Sequence, residues 1–186
     1  MSGWILIGLL VLVGFWLITS YNTLVGLRQR TNQAFADIDV QLKQRHDLIP
    51  NIVETVKGYA THERSTLDAV IAARNSAMAA GGGTAQQAAA EGALTGALGR
   101  LFALAEAYPD LKANTTFQQL QTELSDVENK LAAARRFFNN AVSEYNAAIQ
   151  SFPAMLYAAS MGFRHRDFFD LGDSRQQLDV APQVKF

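Results

Sequence analysis

Nothing constrains this chain more than its opening run, MSGWILIGLLVLVGFWLITSYNTLVGL, residues 1–27, in which no side chain is charged and after which Arg28 is the first that is. As an α-helix the run would extend about 40 Å, against a bilayer hydrocarbon core of about 30 Å. Trp4, Trp16 and Tyr21 are aromatics of the kind that settle at membrane interfaces. A cleaved signal peptide needs a basic leader and small residues at a cleavage site. Here only Met-Ser-Gly leads, no Ala-x-Ala exit follows, and no Cys offers a lipidation site. Residues 1–27 therefore read as an uncleaved transmembrane anchor. Arg28, Arg30, Lys43 and Arg45 follow it, so the positive-inside rule places the rest of the chain in the cytoplasm and the short N-terminus outside.

Helix continues beyond the anchor. Leu24, Thr31, Phe35, Ile38, Leu42 and Ile49 keep a 3.5-residue repeat that Arg28 and Arg45 interrupt, with no Pro or Gly between Leu27 and Leu48. Pro50 is expected to end this helix and to start a second from about Pro50 to Ala80, with Ile52, Val53, Val56, Tyr59, Leu67, Val70 and Ile71 inward. Gly81-Gly82-Gly83-Thr84 reads as a plain flexible break, because no phosphate-loop Lys follows. A third helix, about Thr84 to Tyr108, carries Leu94, Leu98, Leu101, Phe102 and Leu104 and closes at Tyr108-Pro109-Asp110. The fourth, about Asn114 to Ser151, has the best periodicity: Phe117, Leu120, Leu124, Val127, Leu131, Ala134, Phe138, Ala141 and Tyr145 form a heptad seam. With 49% apolar content, four prolines and no alternating strand pattern, the chain is all-α. The expected architecture is an anchor at 1–27 continuing into an antiparallel long-helix bundle at 28–170, then a flexible tail at 171–186.

Chemistry concentrates in one stretch, Gln41 to Glu63. His46, Asp47, His62 and Glu63 are the only local set suited to a metal, yet Thr66 stands where an HExxH motif needs its second His. No Ser or Thr has an evident base and orienting partner, and the absence of Cys excludes thiolate chemistry. No cofactor, metal or catalytic set is expected. The residues suit a helix corner instead. Asp47, or Asn51 with Glu54 as a capping box, caps the helix begun at Pro50; Asp39–Lys43 and Glu54–Lys57 pair along a helix face. Arg45 and Lys57 can reach carboxylates of a neighbouring helix. Together with Tyr59, His62 and Glu63 these residues form the candidate partner-docking surface.

The same residues carry a resemblance. Tyr21-Asn22 with Leu24-Val25, Asp39-Val40-Gln41-Leu42-Lys43, Asp47-Leu48-Ile49-Pro50-Asn51, Glu54, Val56-Lys57-Gly58-Tyr59, His62-Glu63 and Ala73-Arg74-Asn75 match the LemA family of bacterial membrane proteins. So do Tyr108-Pro109-Asp110-Leu111-Lys112-Ala113, Ala134-Arg135-Arg136, Tyr145-Asn146, Phe152-Pro153 and Gly162-Phe163. The chain departs from the commoner pattern at Gln44 and His46, where relatives often carry Arg and Tyr. The resemblance covers about residues 20–170. It implies an inner-membrane anchor with a cytoplasmic helical bundle and supplies no enzymatic activity; a magnetosome-associated branch is linked to shaping internal membranes.

Net charge is −1, so no bulk field drives nucleic-acid binding. The expected function is a non-enzymatic, membrane-anchored scaffold whose partners are the lipid bilayer and further copies of itself. Phe152, Phe163, Phe168 and Phe169 are the candidate oligomer interface, since one small bundle does not comfortably bury them all. The alternative is an adaptor docking onto a membrane enzyme such as a membrane-bound peptidase.

Overall fold

The computed structural model describes residues 2–80 and 84–169. Among them are five α-helices: α1 Ser2–Lys57, α2 Arg64–Ala79, α3 Thr84–Ala105, α4 Pro109–Lys112 and α5 Thr115–Gln150, followed by a 3-10 turn at Ala154–Leu156. No strand occurs among the described residues, and the all-α reading holds. The Gly81–Gly83 break and the tail from 171 lie outside the described residues.

Two compact units emerge, and α1 and α5 each contribute to both. The first comprises residues 2–37 and 134–167. In it Leu24 of α1 packs with Tyr145 and Ile149 of α5 and with Ala154, Ala158 and Phe163 beyond it. Phe35 and Phe138 add a tilted ring pair with centroids 5.6 Å apart. N-terminal to that core, the apolar side chains of α1 from Trp4 to Ile18 are exposed, and α1 contains the one helix among the described residues apolar enough for a membrane span.

The second unit comprises residues 38–133 with 168–169. Its core draws Ile49, Ile52, Val53 and Val56 from α1, Leu67 and Val70 from α2, Leu94, Leu98 and Leu101 from α3, and Phe117 and Leu124 from α5. Every seam position expected on α5 is buried or half-buried.

Pro50 does not end the first helix. It lies inside α1, which runs on to Lys57, and the chain turns at Gly58–Glu63 instead. An interior Pro costs about 3 kcal/mol or more, whereas fully burying each of Ile49, Ile52, Val53 and Val56 is worth about 1.5–3 kcal/mol. Keeping those four side chains in helical register outweighs the Pro, whose own ring is exposed. Two expectations fall with the corner. Asp47 and Asn51 are interior to α1 and cap nothing, so no capping box with Glu54 forms. The helix-capping Asn is Asn114, whose Oδ1 accepts the Phe117 N–H at 3.0 Å.

Candidate functional site

On α1, Arg45 and His46 extend the inward stripe of Ile38, Leu42 and Ile49. On α3, Glu91 shares a face with Leu94, Leu98 and Leu101, at spacings of three and four residues. The second unit therefore carries charge into its own interior. Arg45 Nη1 donates to Glu91 Oε2 at 2.5 Å, and neither side chain has exposed area. Arg45 Nη2 donates to Thr95 Oγ1 at 2.7 Å and lies 2.6 Å from Glu128 Oε1 of α5. His46 Nε2 lies 2.7 Å from Glu91 Oε1, so both carboxylate oxygens are engaged. Arg45 Nε finds no acceptor among the described residues.

Burial is the largest influence on the Glu91 carboxyl and pushes its pKa up. The hydrogen bond from His46, the charges of His46 and Arg45 and the Arg45 hydrogen bond together outweigh it, so the group stays ionised below the ordinary carboxylate range. A carboxylate beside an imidazole is acid–base chemistry in kind, but here the Glu91 side chain has no exposed area and the His46 side chain only 11%. Through Arg45 the cluster links α1 to carboxylates of both α3 and α5.

The remaining residues of the expected corner disperse. Asp39 and Lys43 are exposed, and Lys43 pairs with Asp47 at 2.7 Å rather than with Asp39. That pairing leads the causes holding the Asp47 carboxyl below its usual value. Glu54 and Lys57 pair at 3.5 Å as the spacing implied, and among the described residues Lys57 makes no ion pair with a neighbouring helix. Tyr59 accepts a hydrogen bond on its hydroxyl from Asn114 Nδ2 at 3.0 Å. His62 is exposed and Glu63 half-buried at the turn, whereas His46 is buried. Among the described residues no three His, Asp or Glu side chains converge as a metal site. Asp47 and Asn51 line an open groove of about 440 Å³ with Gln44, Glu123, Asp126 and Lys130.

In the first unit Asn146, 6% exposed, clamps the chain that returns past α5. Its Nδ2 donates to the Arg166 carbonyl at 2.9 Å and its Oδ1 accepts the Arg166 N–H at 3.0 Å. The Arg166 guanidinium then reaches Thr31 Oγ1 at 2.5 Å and Asn32 Oδ1 at 2.6 Å on α1. Phe163 lies in this unit's core, and the Arg28 guanidinium stands 5.0 Å from its ring centre. Of the four aromatics assigned to an oligomer interface, Phe163 and Phe169 are buried at 3% and 2% exposure, so they present no surface to another chain. Phe152 and Phe168 remain exposed.

Glu91 and Asn146 were missed as structural pivots. For Glu91 the signal was available: it is the sole charge between Thr84 and Gly99, and it falls on the apolar face.

Magnetosome proteins MamQ 2 and MamQ 1 of Paramagnetospirillum magneticum are each 26% identical over 193 aligned residues, covering 90% of this chain and 71% of the relative. Magnetosome protein MamQ of Magnetospirillum gryphiswaldense is 26% identical over 205 residues, covering 96% and 75%. Residues 34–186 match the LemA family, and the chain belongs to that family.

Proposed function

We propose that this protein is a non-enzymatic scaffold, anchored in the bacterial inner membrane by α1, that associates with further copies of itself and organises the bilayer around it. The observation that carries the reading is the division of α1 within the first unit: Trp4–Ile18 are apolar and exposed, while Leu24, Thr31 and Ala34 are core. One helix thus serves as both membrane segment and structural member. A non-catalytic role is supported by the Arg45–Glu91–His46 cluster, whose central ion pair has no exposed side-chain area. Arg28, Arg30 and Lys43 follow the apolar run and favour a cytoplasmic folded part with the short N-terminus outside. The MamQ relatives bear the name magnetosome protein, and the proposal takes this chain in the same direction, towards organising a cellular structure.

Self-association draws support from Phe137 and Phe168, 44% and 41% exposed apart from the apolar run. Light scattering of the full-length protein in mild detergent and in lipid discs tests it. Closed oligomers are expected, smaller when Phe137 and Phe168 are replaced by Ser with helix content unchanged. A monomer at micromolar concentration in both media overturns the scaffold reading.

A second reading, an adaptor for a membrane enzyme such as a membrane-bound peptidase, is supported by the groove along Asp47, Asn51, Glu123 and Lys130. A photo-crosslinker at Asn51 that captures a membrane protein rather than another copy would favour it.

A further inference from the structure

Between Glu144 and Arg164 no side chain is charged. After α5 this stretch leaves Phe152 67%, Met155 59%, Leu156 72% and Met161 54% exposed. Four large apolar side chains so close in sequence exceed the single exposed residues normal on a protein surface, and such a patch marks a contact.

Its place within the first unit says with what. The Phe152 ring centre lies 5.7 Å from that of Trp16, and Tyr157 Oη donates to Ser20 Oγ at 2.7 Å. Tyr21 meets Phe163 edge-on at 5.6 Å. The segment is therefore fixed beside residues 16–21 of α1, where Leu17 and Ile18 are themselves 40% and 61% exposed. A bilayer that takes up the apolar run reaches at least to Leu17 and Ile18. A side chain pinned at the level of Trp16 then meets the same medium.

We propose that residues 152–161 form a second membrane contact, seated at the boundary of headgroups and acyl chains beside the anchor, with lipid covering Phe152, Met155, Leu156 and Met161. The inference rests on the anchor reading of α1. Two independent features suit the segment to lipid. Much of its apolar stretch turns its backbone inward, as a non-aqueous medium favours: the N–H groups of Met155, Leu156, Tyr157, Ala158 and Met161, five of the nine in the segment, bond to the carbonyls of Ser151, Pro153, Ala154, Ala154 and Tyr157. Its polar edge is ordered as an interface is. Trp16, Tyr21 and Tyr157 present aromatic rings with polar tips, and Arg28 and Arg164 are the first charges beyond the two uncharged stretches, where lipid phosphates would lie. A second contact also has a consequence that an anchor alone lacks. A lone helix is free to rotate about its axis in the bilayer, whereas a helix with a lateral foot presents one fixed face of its folded part.

Tryptophan quenching by brominated lipid tests this on the full chain. Trp4 and Trp16 are the native tryptophans, so Trp16→Phe leaves Trp4 as the sole reporter of the anchor. Leu156→Trp in a Trp4→Phe, Trp16→Phe background reports the loop, with Met161→Trp as a second site. Each is reconstituted in phosphatidylcholine vesicles brominated near the headgroup end or near the methyl end of the acyl chain. The expected result is a blue-shifted loop tryptophan, quenched more by the shallow bromines than by the deep ones. A quenched Trp4 with a red, unquenched loop tryptophan overturns the second contact and leaves the anchor standing. Blue-shifted but unquenched emission at the loop seats it against protein, such as a second copy, and also overturns lipid contact. If Trp4 too is unquenched, the anchor reading and this inference fail together.

Discussion

Arg74 Nε donates to the backbone carbonyl of His46 at 2.7 Å, and that carbonyl is the acceptor which Pro50, four residues on and without an N–H, leaves unpaired in α1. A side chain of α2 thus replaces the missing helical hydrogen bond, and the proline is tolerated because a partner stands ready. Arg74→Ala is expected to destabilise the protein by about 1–3 kcal/mol, the cost of a charged hydrogen bond lost from a partly buried acceptor. In a Pro50→Ala background the new N–H takes the His46 carbonyl, so the same change should cost less, with a coupling of about 1 kcal/mol. A double-mutant cycle by urea denaturation measures this. Additive effects would separate Arg74 from the proline.

The Arg45–Glu91 pair predicts both a magnitude and a pH dependence. Glu91→Ala leaves Arg45 buried with half its charge balance gone, and about 3–5 kcal/mol of stability should be lost. The Glu91 carboxyl is held below its ordinary value of 4.5 in the folded state. A depressed folded value means the unfolded chain binds the proton first, so this group's contribution is complete above about 4.5 and is lost as pH falls through the lower folded value. Stability of the wild type should therefore fall more steeply below pH 4.5 than that of Glu91→Gln. Equal slopes would show that Glu91 contributes no pH dependence.

These two pairs also show what was legible beforehand. The α5 seam was, because a heptad repeat reports directly on burial and its positions from Phe117 to Tyr145 lie inward. Arg45, an interruption of the α1 repeat, was read as reaching a neighbouring carboxylate, and it does so twice. Pro50 misled because local propensity favours a break there, while the compensating donor, Arg74, is remote in sequence. Phe163 and Phe169 misled for a related reason. Counting aromatics against one bundle left no room for a chain that folds back after α5, under which Phe163 joins a core with Leu24 and Tyr145.

Caps give a sharper comparison. Asn114 both caps α5 through Phe117 N–H and donates to the Tyr59 hydroxyl. Asn114→Ala should cost about 0.5–2 kcal/mol, with Asn114→Asp retaining the cap. Asn51→Ala, at an exposed interior position of α1, removes no cap and substitutes a better helix former, so it should leave stability unchanged or slightly raised. Thermal denaturation followed by circular dichroism ranks the variants. A lower melting temperature for Asn51→Ala than for Asn114→Ala would restore the corner at Pro50.

Gly162 closes the turn that returns the chain to the first unit's core, with φ at +78°. Its N–H bonds to the Ala159 carbonyl at 3.2 Å, and the Phe163 N–H to that of Ala158 at 2.9 Å. This is the paired bonding of a Schellman cap, completed by apolar contact between its ends, since Phe163 and Ala158 share one buried cluster. A Cβ at Gly162 meets no atom within 4 Å, so the penalty of Gly162→Ala is conformational, about 1–2 kcal/mol for an L residue held in the left-handed region. The strain falls on the turn that delivers Phe163 to Leu24 and to the Arg28 guanidinium. Hydrogen exchange should therefore speed up in residues 158–166 before it does in α5. Exchange that rises uniformly across the first unit would show that the return segment and α5 unfold as one, and that Gly162 is not the local hinge of that segment.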